Sequence, residues 1–182
     1  GGDDVVENNW LEKMSGQMQL TAILDTNAQT KAFGLVLSPL DAQILLAERQ
    51  NTLQHERRVE FGEGILPKLI LTFCRSRYIT QDTYVPTLAR LQEIFFLYKN
   101  EMADEITDDE LLGFMQEQFE TICCGDLDYL EGTCLDIFAQ AVRAGYQSYK
   151  DTEGRSSFAT LDIVKRWDKE LYLETLRDLI WR

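Results

Sequence analysis

Apolar positions recur at helical spacing along most of this chain, and no segment alternates with the two-residue period of a strand. The longest regular run is Tyr84, Leu88, Leu91, Phe95 and Tyr98, which puts one apolar and aromatic stripe along one face of a helix. Such a stripe is read as a core seam rather than a ligand box. Upstream, Leu20, Ile23, Leu24 and Asn27 share a face over residues 17–31, with Gly34 placed as a C-terminal cap. Ser38-Pro39-Leu40-Asp41 begins the next helix: serine caps free amides, proline suits the first position and aspartate favours the positive helix end. That helix is predicted to reach residue 57, with Leu40, Ile44, Leu45, Ala47 and Leu53 inward. A short helix over 65–74 tolerates Pro67 in its first turn, and Thr80 or Asp82 caps the helix that carries the aromatic stripe.

The second half continues in the same way. Thr107-Asp108-Asp109-Glu110 reads as a capping box for a helix with Leu111, Leu112, Met115, Phe119 and Ile122 inside. Gly125 breaks it, and Asp126 starts a helix with Leu127, Leu130, Cys134, Ile137, Phe138 and Ala141 on one face, ended by Gly145. Leu161, Val164, Trp167, Leu171, Leu176 and Ile180 predict a last helix over 158–181. The fold class expected is all-α, a single-domain helical bundle of about six to seven helices. Its parts are a poorly ordered N-terminal segment (1–16), a bundle core (17–146), a linker (147–157) and a C-terminal helix packing on the core (158–182). The opening Gly1-Gly2 without methionine reads as a cloning scar, which leaves open the loss of a native targeting segment.

Charge changes the picture. The net charge is −13, yet residues 101–142 hold twelve acids and no Lys or Arg, leaving nineteen acids against eighteen bases elsewhere. Residues 49–99 are instead mildly basic, with eight bases against five acids. Binding to nucleic acid rests on neutralised phosphates, so the acidic block argues for no nucleic acid partner. No apolar run is long enough for a membrane span, since Lys68 interrupts the best candidate; no membrane association and a soluble protein are expected. Four cysteines, two of them the adjacent Cys123 and Cys124, fit reduced thiols in a cytoplasmic protein.

Four landmarks suggest a relationship: Leu37-Ser38-Pro39-Leu40-Asp41-Ala42, the twelve residues from Arg58-Val59-Glu60-Phe61-Gly62-Glu63-Gly64 to Leu69, Leu91-Gln92-Glu93-Ile94-Phe95 leading to Lys99-Asn100-Glu101, and Gly125-Asp126-Leu127-Asp128-Tyr129-Leu130. Together they resemble an uncharacterised bacterial domain-of-unknown-function family over roughly residues 20–150. The resemblance implies a bacterial cytoplasmic protein and brings no assigned activity.

Candidate chemistry is sparse. The best candidate surface is the turn holding Arg58, Glu60, Gly62, Glu63 and Gly64, where two glycines expose bare backbone beside charged side chains; a plain connector is the competing reading. Within Glu48-Arg49-Gln50-Asn51, four polar residues cover every helix face, so one must point inward and find a partner. Arg49, Glu60, Tyr78 and Glu101 are therefore proposed to ring an inter-helix pocket. A lone His55, no nucleophile elbow and no phosphate loop give no catalytic set. Cys74 beside Arg75 and Arg77 is a thiol with either a lowered pKa or an inert buried state. A Cys74–Cys123–Cys134–His55 zinc site is conceivable but unsupported by spacing, and Asp126, Asp128 and Glu131 lack the glycine of a calcium loop. No metal and no cofactor are expected. Two functions remain: a non-enzymatic interaction or regulatory module with a protein partner or as a homodimer, and a small-molecule binder or enzyme using the polar pocket.

Overall fold

The computed structural model describes residues 2–143, and every regular element among them is helical, as the all-α prediction requires. The expected linker 147–157, the helix 158–181 and the Gly145 cap lie outside the described residues. The main helices are α1 (Gly2–Asp25), α2 (Asn27–Thr30), α3 (Pro39–Glu56), α4 (Leu66–Phe73), α5 (Tyr84–Glu101), α6 (Asp108–Glu120), α7 (Leu127–Tyr129) and α8 (Leu135–Arg143). The chain divides into two compact units, the first ending at Phe96 and the second starting at Leu97, inside α5.

In the first unit α1 packs on α3 and α4. It begins well before residue 17, so helix covers a segment whose few apolar anchors predict a loose helix or none. Once a helix is nucleated at its packed end, each added residue gains a hydrogen bond at modest cost. The cap of α3 is the one read from sequence: the Asp41 amide donates to Ser38 Oγ and the Ser38 amide donates to Asp41 Oδ2. Its inward face is only partly so: Leu45 and Leu53 are buried as read, together with Ala42, Arg49 and Thr52, whereas Leu40, Ile44 and Ala47 are exposed. Apolar residues sit on more than one side of α3, and the side that turns in also carries Arg49 to its acidic partner Glu60. Residues 35–38 form an extended strap held from both sides. Asn27 exchanges two hydrogen bonds with the Leu37 backbone at 2.8 Å, and Gln81 two with Val36 at 2.9 Å. Tyr84, Leu88, Leu91 and Phe95 of the α5 stripe are buried, as their spacing predicts.

In the second unit Tyr98 completes that stripe, also buried. Leu111, Leu112, Met115, Phe119 and Ile122 fill the core, and the Phe114 ring stacks on Phe138 at 3.8 Å between centroids. The helix expected from Asp126 onward is interrupted by a π turn over Leu130–Cys134, where the Leu135 amide reaches the Leu130 carbonyl. Asp126 caps its start through the Tyr129 amide at 3.0 Å.

Candidate functional site

The site grows from the connector between α3 and α4. Helix α3 stops because Arg57 turns left-handed (φ 56°), and the Arg58 amide closes the turn on the Leu53 carbonyl at 2.9 Å. The connector then folds back on Glu60. One carboxylate oxygen accepts from Arg49 Nε at 2.5 Å, and the other accepts from the Ile65 amide at 2.8 Å, just ahead of α4. An acid at that position is favoured by the free amides and positive end of α4. Arg49 is 2% exposed and Glu60 14%, so this is a nearly buried ion pair that ties two helices together.

Gly64 makes the pair possible. Its φ is +73°, and a Cβ there would lie 2.5 Å from Glu60 Oε1 and 3.1 Å from Arg49 Nε. Gly62, also left-handed, has open space around it, and its carbonyl accepts from Gln19 Nε2 of α1 at 3.2 Å. The sequence thus carries two glycines for two different reasons: one for turn geometry alone, the other also for room.

Two depressions flank this connector. A polar cleft of about 510 Å³ is lined by Gln19 of α1, by Arg49, Gln50, Leu53 and Gln54 of α3, and by Arg58, Val59 and Glu60. A second groove of about 410 Å³ follows α1, lined by Met14, Met18, Ala22 and Asp25 among others, with Glu63 from the connector.

Of the residues singled out in the sequence, Arg49, Arg58 and Glu60 meet at the polar cleft, Gly62 and Gly64 shape the turn beside it, and Glu63 borders the other groove. Tyr78 is not among the cleft residues. Its ring lies under the Arg77 guanidinium at 6.0 Å, and its amide donates to Ser76 Oγ at 3.1 Å. Glu101 belongs to the second unit, where its side chain and carbonyl both take Arg143 Nη1, at 2.7 and 3.1 Å. The lining residues missed in the sequence are Gln19, Gln50, Leu53, Val59 and Gln54. Gln50 and Gln54 follow from helical spacing once Arg49 is known to face inward; Gln19 is brought in by tertiary packing alone.

The thiols also find their places. Cys74 is buried, and burial pushes its pKa up against the lowering pull of Arg75. Cys123 and Cys134 are buried with their sulfurs 3.7 Å apart, and all four cysteines are unbridged. Among the described residues no three His, Cys, Asp or Glu side chains gather as metal ligands. Elsewhere in the second unit, the Tyr98 hydroxyl bonds the Glu131 carbonyl and the Asp136 carboxylate at the π turn. Lys99, 6% exposed, donates to the Ile106 carbonyl at 2.7 Å and pairs with Asp108 at 2.9 Å. No helix among the described residues is long and apolar enough to cross a membrane.

Fold and site therefore define an all-α protein with an open polar cleft beside a glycine turn. The profile of a family of unknown function (DUF6323) matches residues 22–148, and the chain belongs to that family. The matched span includes every cleft residue except Gln19. No curated protein and no solved structure shows significant similarity to the chain.

Proposed function

We propose that this chain is a non-enzymatic interaction module of the bacterial cytoplasm, and that it works through the exposed apolar side of α1. One observation carries the reading. Trp10, Leu11, Met14 and Met18 are 59%, 52%, 41% and 64% exposed. At 100° per residue all four fall within an arc of about 100° on the helix. An exposed apolar stripe at helical spacing is the usual mark of a helix that docks on another apolar surface. Methionines suit such a face because their flexible thioethers adapt to the partner. Met14 and Met18 also line the groove beside α1, which gives a partner side chain a place to insert.

The acidic run over 101–142 supports a protein rather than a nucleic acid partner. Unbridged thiols, two of them only 3.7 Å apart, support a reducing compartment. The test is the double variant Met14→Asp with Met18→Asp. The full wild-type chain is expected to self-associate by light scattering, or to retain a stable protein partner from its native cell, and the variant to lose that association with its helical circular dichroism unchanged. Wild-type and variant behaving alike in both assays rejects the reading.

A further inference from the structure

Two thiols of the second unit, Cys123 and Cys134, meet in its core. Their sulfurs are 3.7 Å apart, both residues are buried, and neither is bridged. A disulfide holds its sulfurs about 2.05 Å apart, so closure needs about 1.7 Å of approach, roughly 0.8 Å from each side chain. A movement that small is within reach of side-chain torsions. The thiols of Cys74 and Cys124 instead donate to backbone carbonyls, those of Leu71 and Thr121, each at 3.3 Å.

The pair also joins two places where the α-helical ladder is broken. Cys123 lies in the connector after α6, its amide donating to the Gln118 carbonyl at 2.8 Å, and Cys134 is the last residue of the π turn. Single π turns recur at functional sites. The connector is the part of this region most easily opened. Its next residue, Cys124, is exposed and holds a left-handed backbone at φ 47°, a conformation that a side chain disfavours. Cys123 is 5% exposed and Cys134 0%, so an oxidant meets Cys123 first.

We propose that Cys123 and Cys134 are an oxidative modification site, converted by hydrogen peroxide into an intramolecular disulfide that ties the connector after α6 to the π turn. The Cys123 sulfur attacks one peroxide oxygen, the O–O bond breaks, and the departing hydroxide leaves as water with the thiol proton, giving a sulfenic acid. The Cys134 sulfur then attacks the Cys123 sulfur. An S–S bond forms, the S–O bond breaks, and the hydroxyl leaves as a second water with the Cys134 proton. Two thiols and one peroxide give one disulfide and two waters, two electrons passing from the sulfurs to the peroxide. With the second thiol already in place, the bridge forms ahead of further oxidation to sulfinic acid. In a reducing compartment such a bridge is transient and redox-sensing rather than a permanent staple.

The reduced full chain, freed of reductant, is treated with hydrogen peroxide without denaturant and read by mass spectrometry. Residues 101–142 hold no Lys or Arg, so trypsin leaves all three thiols of this run in one peptide, whereas cleavage after Glu131 by a glutamyl endopeptidase separates Cys134 from the other two. The oxidised chain is expected to be lighter by about 2 Da, with the Cys134 peptide linked to the one holding Cys123, and dithiothreitol is expected to reverse the change. Cys124→Ser is expected to keep the bridge, which assigns it to Cys123. Cys134→Ser is expected to lose it and to leave a sulfenic acid on Cys123 that dimedone traps. The two positions are 11 apart in sequence, and closing that loop is expected to raise the thermal midpoint by about 4 °C or more. Thiols that stay unmodified, a bridge lost in Cys124→Ser, sulfinic and sulfonic products alone, or an oxidised chain whose midpoint fails to rise overturns the proposal.

Discussion

Arg49 and Glu60 form a pair in which each charge is tolerable because the other is present. Taking either ion out of water costs several kcal/mol, and removing one partner strands the other in a buried site. Glu60→Ala is expected to lower unfolding free energy by about 3–5 kcal/mol in a urea titration, since it abandons the Ile65 amide as well. The double variant Arg49→Met with Glu60→Leu is expected to recover part of that loss, because no charge is left unpaired. Gly64 answers to the same geometry. Gly64→Ala meets both a left-handed backbone and the Glu60 carboxylate, so its cost is expected to exceed that of Gly62→Ala, which meets the backbone penalty of about 1 kcal/mol alone. Equal midpoints for the two alanine variants would contradict the close approach at Gly64. Two buried phenols add a pH dependence. Burial pushes Tyr84 up to about 12, and burial, followed by Asp136, raises Tyr98. In both the folded value lies above that of the unfolded chain, so the folded state holds the proton longer. The stability they contribute is complete below pH ~10 and is lost as pH rises through the folded values. In an ultraviolet titration of the folded chain, Tyr84→Phe and Tyr98→Phe are each expected to remove a late-ionising component.

At the scale of the element, α3 shows how a pattern can give the right helix and only part of its buried face. Its start is written locally in Ser38 and Asp41, and it is where the pattern puts it. Its inward side depends on where Glu60 lies after the chain has turned, which no local spacing reveals. The pattern places both Leu40 and Leu45 inside; Leu45→Ala, at the position that is buried, is expected to cost about 2–5 kcal/mol, whereas Leu40→Gln, at the one that is exposed, is expected to stay within about 0.5 kcal/mol. Urea midpoints of the two variants check the assignment. The π turn over Leu130–Cys134 is a second instance. It lies inside an unbroken apolar pattern, and what sets it apart is the Tyr98 hydroxyl, 33 residues upstream, bonded to the Glu131 carbonyl. By contrast the α5 stripe was legible: Tyr84, Leu88, Leu91, Phe95 and Tyr98 are all buried, although Gln92, Ile94, Phe96 and Lys99 beside them are buried too.

For the molecule as a whole, the acidic run is the dominant charge feature. Lys99 and Arg143, the bases bounding it in sequence, are each bonded to acids within it: Lys99 to Asp108 and Arg143 to Glu101. With twelve acids and no Lys or Arg of its own, the run over residues 101–142 carries charges of one sign that repel one another. Salt shortens the range of that repulsion from about 30 Å at 0.01 M to about 8 Å at 0.15 M. Raising sodium chloride across this range is expected to raise the thermal midpoint by about 2–4 °C, the equivalent of ~1 kcal/mol at this chain length. A midpoint that falls instead would mean that the ion pairs outweigh the repulsion.

Helix content, the capped starts of α3 and α6, the aromatic seam of α5 and the segregation of charge were determined by the sequence itself, since each depends on neighbours within a few turns of the same chain. The sequence also put Arg49 with Glu60, but tertiary structure alone decided that Tyr78 and Glu101 do not line the cleft with them, that Gln19 joins the cleft from α1, and that Tyr98 rests on a π turn. The last two are contacts between residues far apart in sequence. Local spacing can mark a polar side chain that must find a partner, but the partner it finds depends on how the chain turns back, which periodicity does not encode.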